Sequence, residues 1–461
     1  MRLTLIISLM LPMLSTGQDL FPYENFLKTF EANHPAFKIS AANIGQSEAA
    51  LLSASGAFDP TFSMSSNNKT LDGKTYYNEQ NPEFKWQTPY GLRIKAGNDY
   101  NMGDFLNSEV TPGNLSYMGL ELPLLKGLFI DQNRATRKQA SIMISQSTEE
   151  QRNYLNDVYL DAIEHYWQWA ASYQIYALLL NQEGNATRRL EITKVGFTNG
   201  AKSQADTVEA SLQVQNIGLL QQEAFIDFRT KSIALSAFLW DEQGEPYLLR
   251  PDLRPQIMPK DLIVIDTEEM VFQSRINHPK LAIFRYKLDG LAVERLLNRQ
   301  SVLPTLDLKY NVLGKDYFFV ESAANPYLRN NYKFGFDFKI PLLLREGRGK
   351  FEKTKFKILE NTLLQKQTTW NIENKVREWG TATELLNLQL SAAGQLAINY
   401  EFLLKNEELK FNQGSSSLFL IISRENKLID ARQKVLKVNL KYIKAYYKQR
   451  WAAGLLAPPP A

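Results

Sequence analysis

The chain has 461 residues, of which 44% are hydrophobic and 22% are charged, with a formal net charge of +4 and a mean hydropathy of −0.32. These values exclude a disordered chain and a bundle of transmembrane helices, and the length suggests two to three domains or one elongated architecture. The sequence contains no dense basic run interleaved with aromatic residues, which argues against nucleic acid as a partner.

The N-terminus, residues 1–17, is predicted to be a secretory signal. Arg2 supplies a positive charge, Leu3 to Leu14 form an apolar stretch too short to span a bilayer, and residues 15–17 are small, as a signal peptidase requires. After this segment no run of about 18 apolar residues occurs, so we expect an exported chain without a transmembrane helix. The sequence contains no cysteine, which means that an exported protein must be held together without disulfides.

Two of the three histidines lie in Asn-His-Pro tripeptides, at 33–35 and 277–279. When the tripeptides are aligned, Pro60 falls on Pro304 without a gap, and each copy has the pattern short helix, Asn-His-Pro, helix, proline, strand. The correspondence continues with Pro123 on Pro341, and with Gly200 on Gly414. The sequence therefore predicts an internal duplication of about 200 residues. The offset falls from 244 to 218, which places 26 extra residues in the first copy between Pro60 and Pro123.

The duplication explains His34 and His278 as copied helix boundaries, because a residue before proline is disfavoured in helical geometry. No acid or third histidine recurs near them at ligand spacing, so we expect neither a metal site nor a catalytic pair. His165 is interpreted as an ordinary helix residue.

Strand patterns follow the helical block in each copy. In the second copy, residues 305–312 and 333–340 alternate between apolar and polar side chains. In the first copy, residues 62–67 and 115–123 are candidate strands, and residues 83–101 resemble additional hairpin sequence. A soluble, half-buried sheet and a membrane barrel both fit the alternation. The barrel would be flanked by the aromatic residues Phe318, Phe319, Tyr327 and Tyr332. The exported chain and its long helices favour the barrel.

Long helices are predicted after the second strand of each copy. Residues 131–198 contain no proline and carry apolar residues every three to four positions, with a break allowed near Gly184. A return helix is expected at about 202–240, and the second copy predicts helices at about 349–411 and 415–453. The apolar spacing is close to that of coiled coils. A purely structural coiled coil would not carry the proline-bounded strands.

With its blocks in this order, the chain resembles the outer-membrane efflux proteins, the TolC-like family. The resemblance rests on the duplicated Asn-His-Pro blocks, on "LPLLKG" and "IPLLLREG" closing the strand pairs, and on the helix-turn-helix "VGFTNGAKSQADTVEAS". It implies an α+β membrane protein in which four β-strands per chain contribute to a trimeric 12-stranded transmembrane β-barrel. A long α-helical coiled-coil barrel would continue that β-barrel.

The expected division of the chain follows from the duplication. Residues 18–245 form the first repeat, 246–265 a proline-rich linker, 266–453 the second repeat and 454–461 a flexible tail.

The resemblance also implies a function: a passive exit duct of a tripartite efflux or type I secretion system, without a cofactor. Its expected partners are two sister copies in a homotrimer, outer-membrane lipid, a periplasmic adaptor protein, and an inner-membrane pump of the RND or ABC class. An oligomer is also expected on physical grounds, because four strands cannot close a barrel and an open sheet edge in lipid leaves backbone groups unpaired. Closure from identical chains by rotation gives a ring.

Two alternatives remain open at this point. One is a periplasmic coiled-coil adaptor or structural protein, which also has long helical hairpins. The other is a carboxylate-dependent periplasmic hydrolase, since Asp and Glu are abundant. The hydrolase would not explain the duplicated long helices.

The residues expected to carry function lie at the helix reversals. The resemblance makes these the periplasmic tips that contact an adaptor, and the candidate residues are Gly200, Ser203, Asp206, Phe411, Gly414 and Ser416. Simple turn chemistry is the alternative, with glycine at positive φ and Ser203 capping the returning helix. Leu420 occupies the place that matches Asp206, so a ring of acids at the second tip is not expected. The residues Leu418, Phe419 and Leu420 could form an apolar constriction, and core packing is the alternative for them.

Overall fold

A computed structural model describes residues 19–263, 265–315 and 331–457. The signal segment and Phe318, Phe319 and Tyr327 lie outside these residues. The chain divides into two compact units. Among the described residues, unit 1 comprises residues 19–39, 154–278 and 371–457, and unit 2 comprises residues 40–153 and 279–370. Each sequence copy contributes segments to both units.

The elements of the described chain, in order, are as follows: β1 (Leu20–Phe21), α1 (Tyr23–Asn33), α2 (Pro35–Ser55), β2 (Thr61–Leu71), β3 (Lys74–Gln87), β4 (Arg93–Met102), β5 (Gly113–Pro123), α3 (Gln132–Thr198), α4 (Gln204–Ser236), β6 (Arg254–Pro255), α5 (Thr267–Asn277), α6 (Pro279–Gln300), β7 (Thr305–Lys315), β8 (Tyr332–Lys339), α7 (Arg345–Asn412) and α8 (Leu418–Ala452). A short 3-10 helix, Gly56–Phe58, precedes β2. No helix of the described segments is both long and apolar enough to cross a membrane.

The two Asn-His-Pro tripeptides are helix boundaries, as predicted. α1 ends at Asn33 and α2 begins at Pro35, while α5 ends at Asn277 and α6 begins at Pro279. Both histidines have extended backbone angles, with ψ of 134° at His34 and 123° at His278. The His34 ring stabilises the start of α2, because its Nδ1 accepts a hydrogen bond from the backbone N–H of Ala36 at 3.2 Å.

The long helix α3 has 67 residues and is continuous through Gly184, so the allowance for a break there is wrong. A single glycine inside a helix costs only about 1 kcal/mol relative to alanine. The residues on either side offset this cost, because Leu179 and Ala186 are buried in one cluster with Ile217 of α4. The equivalent helix of the second copy, α7, has 68 residues.

The core of unit 1 is strongly aromatic. Phe26, Phe30, Tyr166 and Trp169 are fully buried, and the rings of Tyr166 and Trp169 meet edge to face with centroids 5.8 Å apart. Rings of this size bury large apolar areas and favour such tilted arrangements. Burial of Tyr166 raises the pKa of its hydroxyl, which donates to the backbone oxygen of Phe21 at 2.8 Å.

The segments expected to be linker and tail take part in this core. Leu249 and Met258, in the proline-rich segment, are buried in the aromatic cluster, and β6 pairs in parallel with β1. Part of the segment 454–457, expected to be flexible, is held in place: Ala457 is buried, and the Leu456 backbone N–H donates to the Asn156 side chain at 3.0 Å.

Unit 2 contains one antiparallel sheet with the strand order β2-β3-β4-β5-β7-β8. From the sequence, four strands are expected in this sheet, with residues 83–101 as additional hairpin sequence. Among the described residues the sheet has six strands, because the insertion in the first copy supplies β3 and β4, which pair within the same sheet. The weak signal of β3 has a physical cause: Pro82 cannot donate to a ladder, and the pairing of β3 with β4 skips Asn81 and Pro82.

The two faces of the sheet differ in chemistry. Cross-strand neighbours share a face, and the registers align one apolar row across all six strands: Phe62, Phe84, Ala96, Met118, Val312 and Tyr332. The next row contains Trp86, Ile94, Leu120, Tyr310 and Phe334. The opposite face carries ion pairs, including those of Glu121 with Arg93 and Lys95.

The apolar face is open. Phe62 is 72% exposed and Phe336 is 65% exposed, and the neighbouring aromatic residues of β8 are exposed as well. A soluble half-buried sheet would bury this face against other elements. The alternation of apolar and polar residues fits both a soluble, half-buried sheet and a membrane barrel, and the exposed apolar face favours the membrane barrel.

Candidate functional site at the two helix reversals

The first tip, residues 196–206, joins α3 to α4 within unit 1. Gly200 has a φ of 74°, a left-handed conformation that favours glycine. The backbone N–H of Gly200 donates to the oxygen of Phe197 at 2.9 Å, and that of Ala201 donates to the oxygen of Gly196 at 2.8 Å. These paired bonds satisfy the last carbonyls of α3 and reverse the chain.

A reciprocal cap begins the returning helix α4. The Ser203 hydroxyl accepts from the backbone N–H of Asp206 at 3.1 Å, and the Asp206 carboxylate accepts from the backbone N–H of Ser203 at 2.9 Å. This arrangement satisfies two free N–H groups at once. The predicted cap at Ser203 is therefore confirmed, and so is the place of Asp206 at the positive end of the helix.

The pKa of Asp206 is lowered, first by the hydrogen bond from the Ser203 backbone, then by the Ser203 hydroxyl, with the charge of Lys202 adding to the effect. The carboxylate therefore stays ionised at neutral and mildly acidic pH. The cap is stable above the ordinary pKa of an aspartate and is lost as the pH falls through the lowered value.

The second tip, residues 410–420, joins α7 to α8 with the same backbone geometry. Gly414 has a φ of 77°, its N–H donates to the oxygen of Phe411 at 3.0 Å, and the Ser415 N–H donates to the oxygen of Lys410 at 2.9 Å. The N-cap is Ser417, whose hydroxyl accepts from the backbone N–H of Leu420 at a longer 3.4 Å.

Ser416 is the serine predicted to matter at this tip, whereas the capping residue in the structure is Ser417. The repeat could have identified Ser417, because the offset of 214 that matches the glycines also places Ser203 on it. The Ser416 hydroxyl instead donates to the Glu407 carboxylate. Leu420 cannot return a hydrogen bond as Asp206 does, so the second tip has one half of the cap that the first tip has.

One contact joins the two tips. The Lys202 ammonium lies 3.8 Å from the centre of the Phe411 ring. A cation over an aromatic face at this distance is attracted by the ring's negative centre, by about 0.5–1 kcal/mol at an exposed site. The structure therefore brings the candidate Phe411 of the second copy against the tip of the first copy.

The three residues proposed as an apolar constriction do not share one environment. Leu418 is 2% exposed and belongs to the interior, while Phe419 is 64% exposed and Leu420 is also exposed. The core-packing alternative therefore holds for Leu418. Phe419 and Leu420 present apolar surface, to which Phe197 of the first tip adds a third exposed side chain.

A buried ion pair that was not predicted from the sequence lies beyond the tips. The Glu425 carboxylate of α8 is almost fully buried and lies 2.6 Å from the guanidinium of Arg189 on α3. Arg189 also lies 3.6 Å from Glu408 of α7, and the Gln213 amide of α4 donates to Glu425 at 3.5 Å. This network, the four-helix lock, connects α3, α4, α7 and α8. The only signal in the sequence was that Glu425 is the first acid after the second tip.

Comparison with known proteins identifies the fold. No protein-family model matches the chain, and no curated protein is detectably similar to it in sequence. Solved structures match over nearly its whole length. The CmeC outer membrane channel of Campylobacter jejuni matches with a TM-score of 0.63 at 14% identity, over 95% of this chain and 87% of that one.

Two further structures agree. The outer-membrane channel OprN matches with a TM-score of 0.67 at 10% identity, over 94% of this chain and 90% of that one. The outer membrane protein VceC of Vibrio cholerae matches with a TM-score of 0.64 at 10% identity, over 94% and 95%. The chain therefore has the fold of the TolC-like outer-membrane efflux channels, as the repeat pattern predicts.

Proposed function

We propose that the protein is an outer-membrane exit duct that passively conducts small molecules or proteins, working as a homotrimer. One observation carries this proposal: in a fold shared with outer-membrane channels, the sheet presents an open apolar face opposite a polar, ion-paired face. Lipid is the environment that matches such an outer face, and a water-filled pore matches the inner one. A periplasmic adaptor or a soluble hydrolase would leave the exposed apolar face without an explanation.

The fold and the free sheet edges support a trimer. In lipid each unpaired backbone group costs several kcal/mol, so an open sheet has to be completed by sister copies around an axis. We assign the protein to the outer membrane with its helical hairpins in the periplasm, as in the structures of this fold.

Fractionation and conductance test this function. Membranes from cells that express the full chain are separated by density, and the detergent-extracted protein is sized by light scattering and added to a planar bilayer. We expect it in the outer-membrane fraction, as a trimer that forms ion-conducting pores. A monomer in the soluble periplasmic fraction, or a membrane protein without conductance, contradicts the proposal.

The two tips are the proposed docking site for a periplasmic adaptor, which in turn connects the duct to an inner-membrane pump of the RND or ABC class. The exposed Phe197, Phe419 and Leu420 give this surface the apolar character that helical partners bind. The turns at Gly200 and Gly414 have similar backbone geometry, so the two tips can present this surface in a similar way.

Site-specific cross-linking in cells tests this assignment. The cysteine-free sequence allows single cysteines at the exposed positions Ala201 and Gln413, which spare both caps, with exposed Leu219 of α4 as the control. We expect a cross-linked product with a coiled-coil periplasmic adaptor from both tip positions and none from the control. Equal labelling of all three, or labelling of Leu219→Cys alone, contradicts docking at the tips.

A further inference from the structure

Both edges of the six-stranded sheet are unpaired within the described chain. β2 has a neighbour only on its β3 side, and β8 has a neighbour only on its β7 side. All eleven residues of β2 are exposed, as are seven of the eight residues of β8. Such edges are templates for further strand pairing.

The added hairpin β3–β4 spans the same rows of the sheet as the strands beside it. Its turn, residues 88–92, lies against the link between β5 and α3, where the Arg134 guanidinium donates to the backbone oxygens of Tyr90, at 3.4 Å, and Leu128, at 3.2 Å. A Cβ atom at Gly91 would lie 2.9 Å from the Arg134 guanidinium, which would have to shift, and the φ of 94° at Gly91 is one that favours glycine. The turn is therefore fixed at the end of the sheet where the chain enters the helices.

A second anchor lies beside that turn. The Trp86 indole N–H donates to the backbone oxygen of Phe58 at 3.0 Å, and the Asn133 amide donates to the Gln87 side chain at 3.1 Å. These contacts hold the end of β3 against both the segment that precedes β2 and the start of α3. The hairpin is thus an integral part of the sheet and not a loose extension at its edge.

The faces of β3 and β4 also match those of the other strands. Phe84 and Trp86 lie in the same two apolar rows as Met118, Leu120 and the residues of β7 and β8. The opposite sides of β3 and β4 carry Glu83, Arg93 and Lys95, which make contacts across the polar face. An outer apolar face and an inner polar face are what a strand inside a membrane wall requires.

The strand directions permit closure between copies. All five pairings in the sheet are antiparallel, so with six strands β2 and β8 run in opposite directions. Rotation about an axis then places β8 of one copy antiparallel to β2 of the next. The side-chain parity matches before the irregularity at Lys69 and Thr70 of β2, since Phe62 and Met64, like the aromatic residues of β8, occupy even-numbered positions.

On the basis of the proposed trimer, we infer that β8 of each copy pairs with β2 of the next, so that the barrel has eighteen strands. The resemblance to the TolC-like family implies twelve. Barrel diameter grows roughly linearly with strand number, so the wall would be wider by about one half. With strands about 4.8 Å apart and tilted by about 40°, the backbone radius rises from roughly 12 Å to roughly 18 Å. The added hairpin therefore sets the pore size and admits bulkier cargo through the membrane portion.

Disulfide mapping on the full chain tests the inferred contact. Phe336→Cys on β8 is combined, one pair at a time, with cysteines at residues 62, 64, 66 and 68 of β2, or at residues 94, 96, 98 and 100 of β4. Barrel closure staggers the strands, so the partner position has to be found by such a scan. The pair Met118→Cys with Val312→Cys, neighbours inside one chain, is the control for oxidation.

We expect a ladder of cross-linked dimers and trimers from one or two adjacent positions of β2, and none from β4. A ladder from β4 means that β2 and β3 lie outside a twelve-stranded wall, and this result overturns the inference while leaving the exit duct intact. A trimer that cross-links at neither strand, or a bond formed only within one chain, overturns it as well. Failure to form any outer-membrane oligomer would instead contradict the proposed function itself.

Discussion

The two units place their aromatic side chains in opposite surroundings. In unit 1, Tyr166 and Trp169 are fully buried among other rings, whereas in unit 2 the phenylalanines of β8 are exposed in a row. Both groups consist of large aromatic rings, so the residue class alone does not separate them. The difference teaches that unit 1 forms its own core, while the sheet of unit 2 leaves an apolar face and two strand edges uncovered among the described residues. In the proposed trimer, lipid covers that face and sister copies pair with those edges.

The largest expected effect comes from truncating the two kinds of ring. Trp169→Ala should destabilise the protein by about 3–5 kcal/mol, because it leaves a cavity in a closely packed core. Phe336→Ala should cost far less, since lipid chains fill the space that the ring leaves. Urea unfolding of the detergent-solubilised protein, followed by circular dichroism, measures both. Equal losses in the free energy of unfolding would contradict the difference in surroundings between the two units.

Charge placed on the two faces of β8 gives the next effect. Phe336→Arg should cost about 2–4 kcal/mol per chain, as expected for a charge facing the bilayer midplane. The matched control is Gly335→Arg on the polar face, where a side chain meets open space. The yield of folded protein in the outer membrane is the measurement. If Phe336→Arg kept a normal yield of folded protein and Gly335→Arg lost it, the face that carries Gly335 would be the one that faces lipid.

The four-helix lock offers a smaller effect inside unit 1. Glu425→Gln should destabilise the helices near the tips by about 2 kcal/mol, below the full cost of breaking a buried pair, because Arg189 still has Glu408 nearby. Glu408→Gln, at a half-exposed partner, should cost less than about 1 kcal/mol. Thermal melting measures the two variants. A larger loss of stability from Glu408→Gln than from Glu425→Gln would show that the buried Glu425 is not the main contributor to the four-helix lock.

The caps of the two tips should differ by a smaller amount. Ser203→Ala should cost about 1 kcal/mol, and Ser417→Ala less, because only the first cap is reciprocated by an acid. Hydrogen exchange at the amides of Asp206 and Leu420 reports each cap separately. Leu420→Asp should slow exchange at the second tip, and unchanged exchange there would show that the missing acid is not what weakens this cap.

The weakest effect is a dependence on pH at His34. Burial lowers the pKa of this ring below its usual 6.5, so the folded protein binds a proton less readily than the unfolded chain. Stability is therefore complete above about pH 6.5 and decreases as the pH falls through the lowered pKa. His34→Asn, which keeps an acceptor for the Ala36 N–H, should flatten the melting temperature in this range. An equally steep profile in the variant would contradict the role of the ring.

The fold could be predicted largely because the duplication repeats each signal. The prolines at 123 and 341, the histidine boundaries and the glycines at both tips each support their counterpart. The number of strands in the sheet could not be predicted, because Pro82 and the polar residues of β3 and β4 weaken the alternation that marks a strand. Pairing across the sheet decided those assignments.

The candidate site was predictable only in its local chemistry. Positive φ at glycine and the cap at Ser203 follow from short-range rules. The pairing of Glu425 with Arg189, and of Lys202 with Phe411, joins residues more than 200 positions apart. Such contacts depend on how four helices pack, and no pattern in the sequence specifies this.

A reconstruction of the detergent-purified assembly by electron microscopy tests the central claim most directly, since it shows which strands pair with the two edges of the sheet. The account predicts three copies around one axis, with β8 of each chain beside β2 of the next and eighteen strands in a closed wall. A single chain whose sheet edges are covered by its own segments, or whose apolar face packs against its own helices, would contradict it.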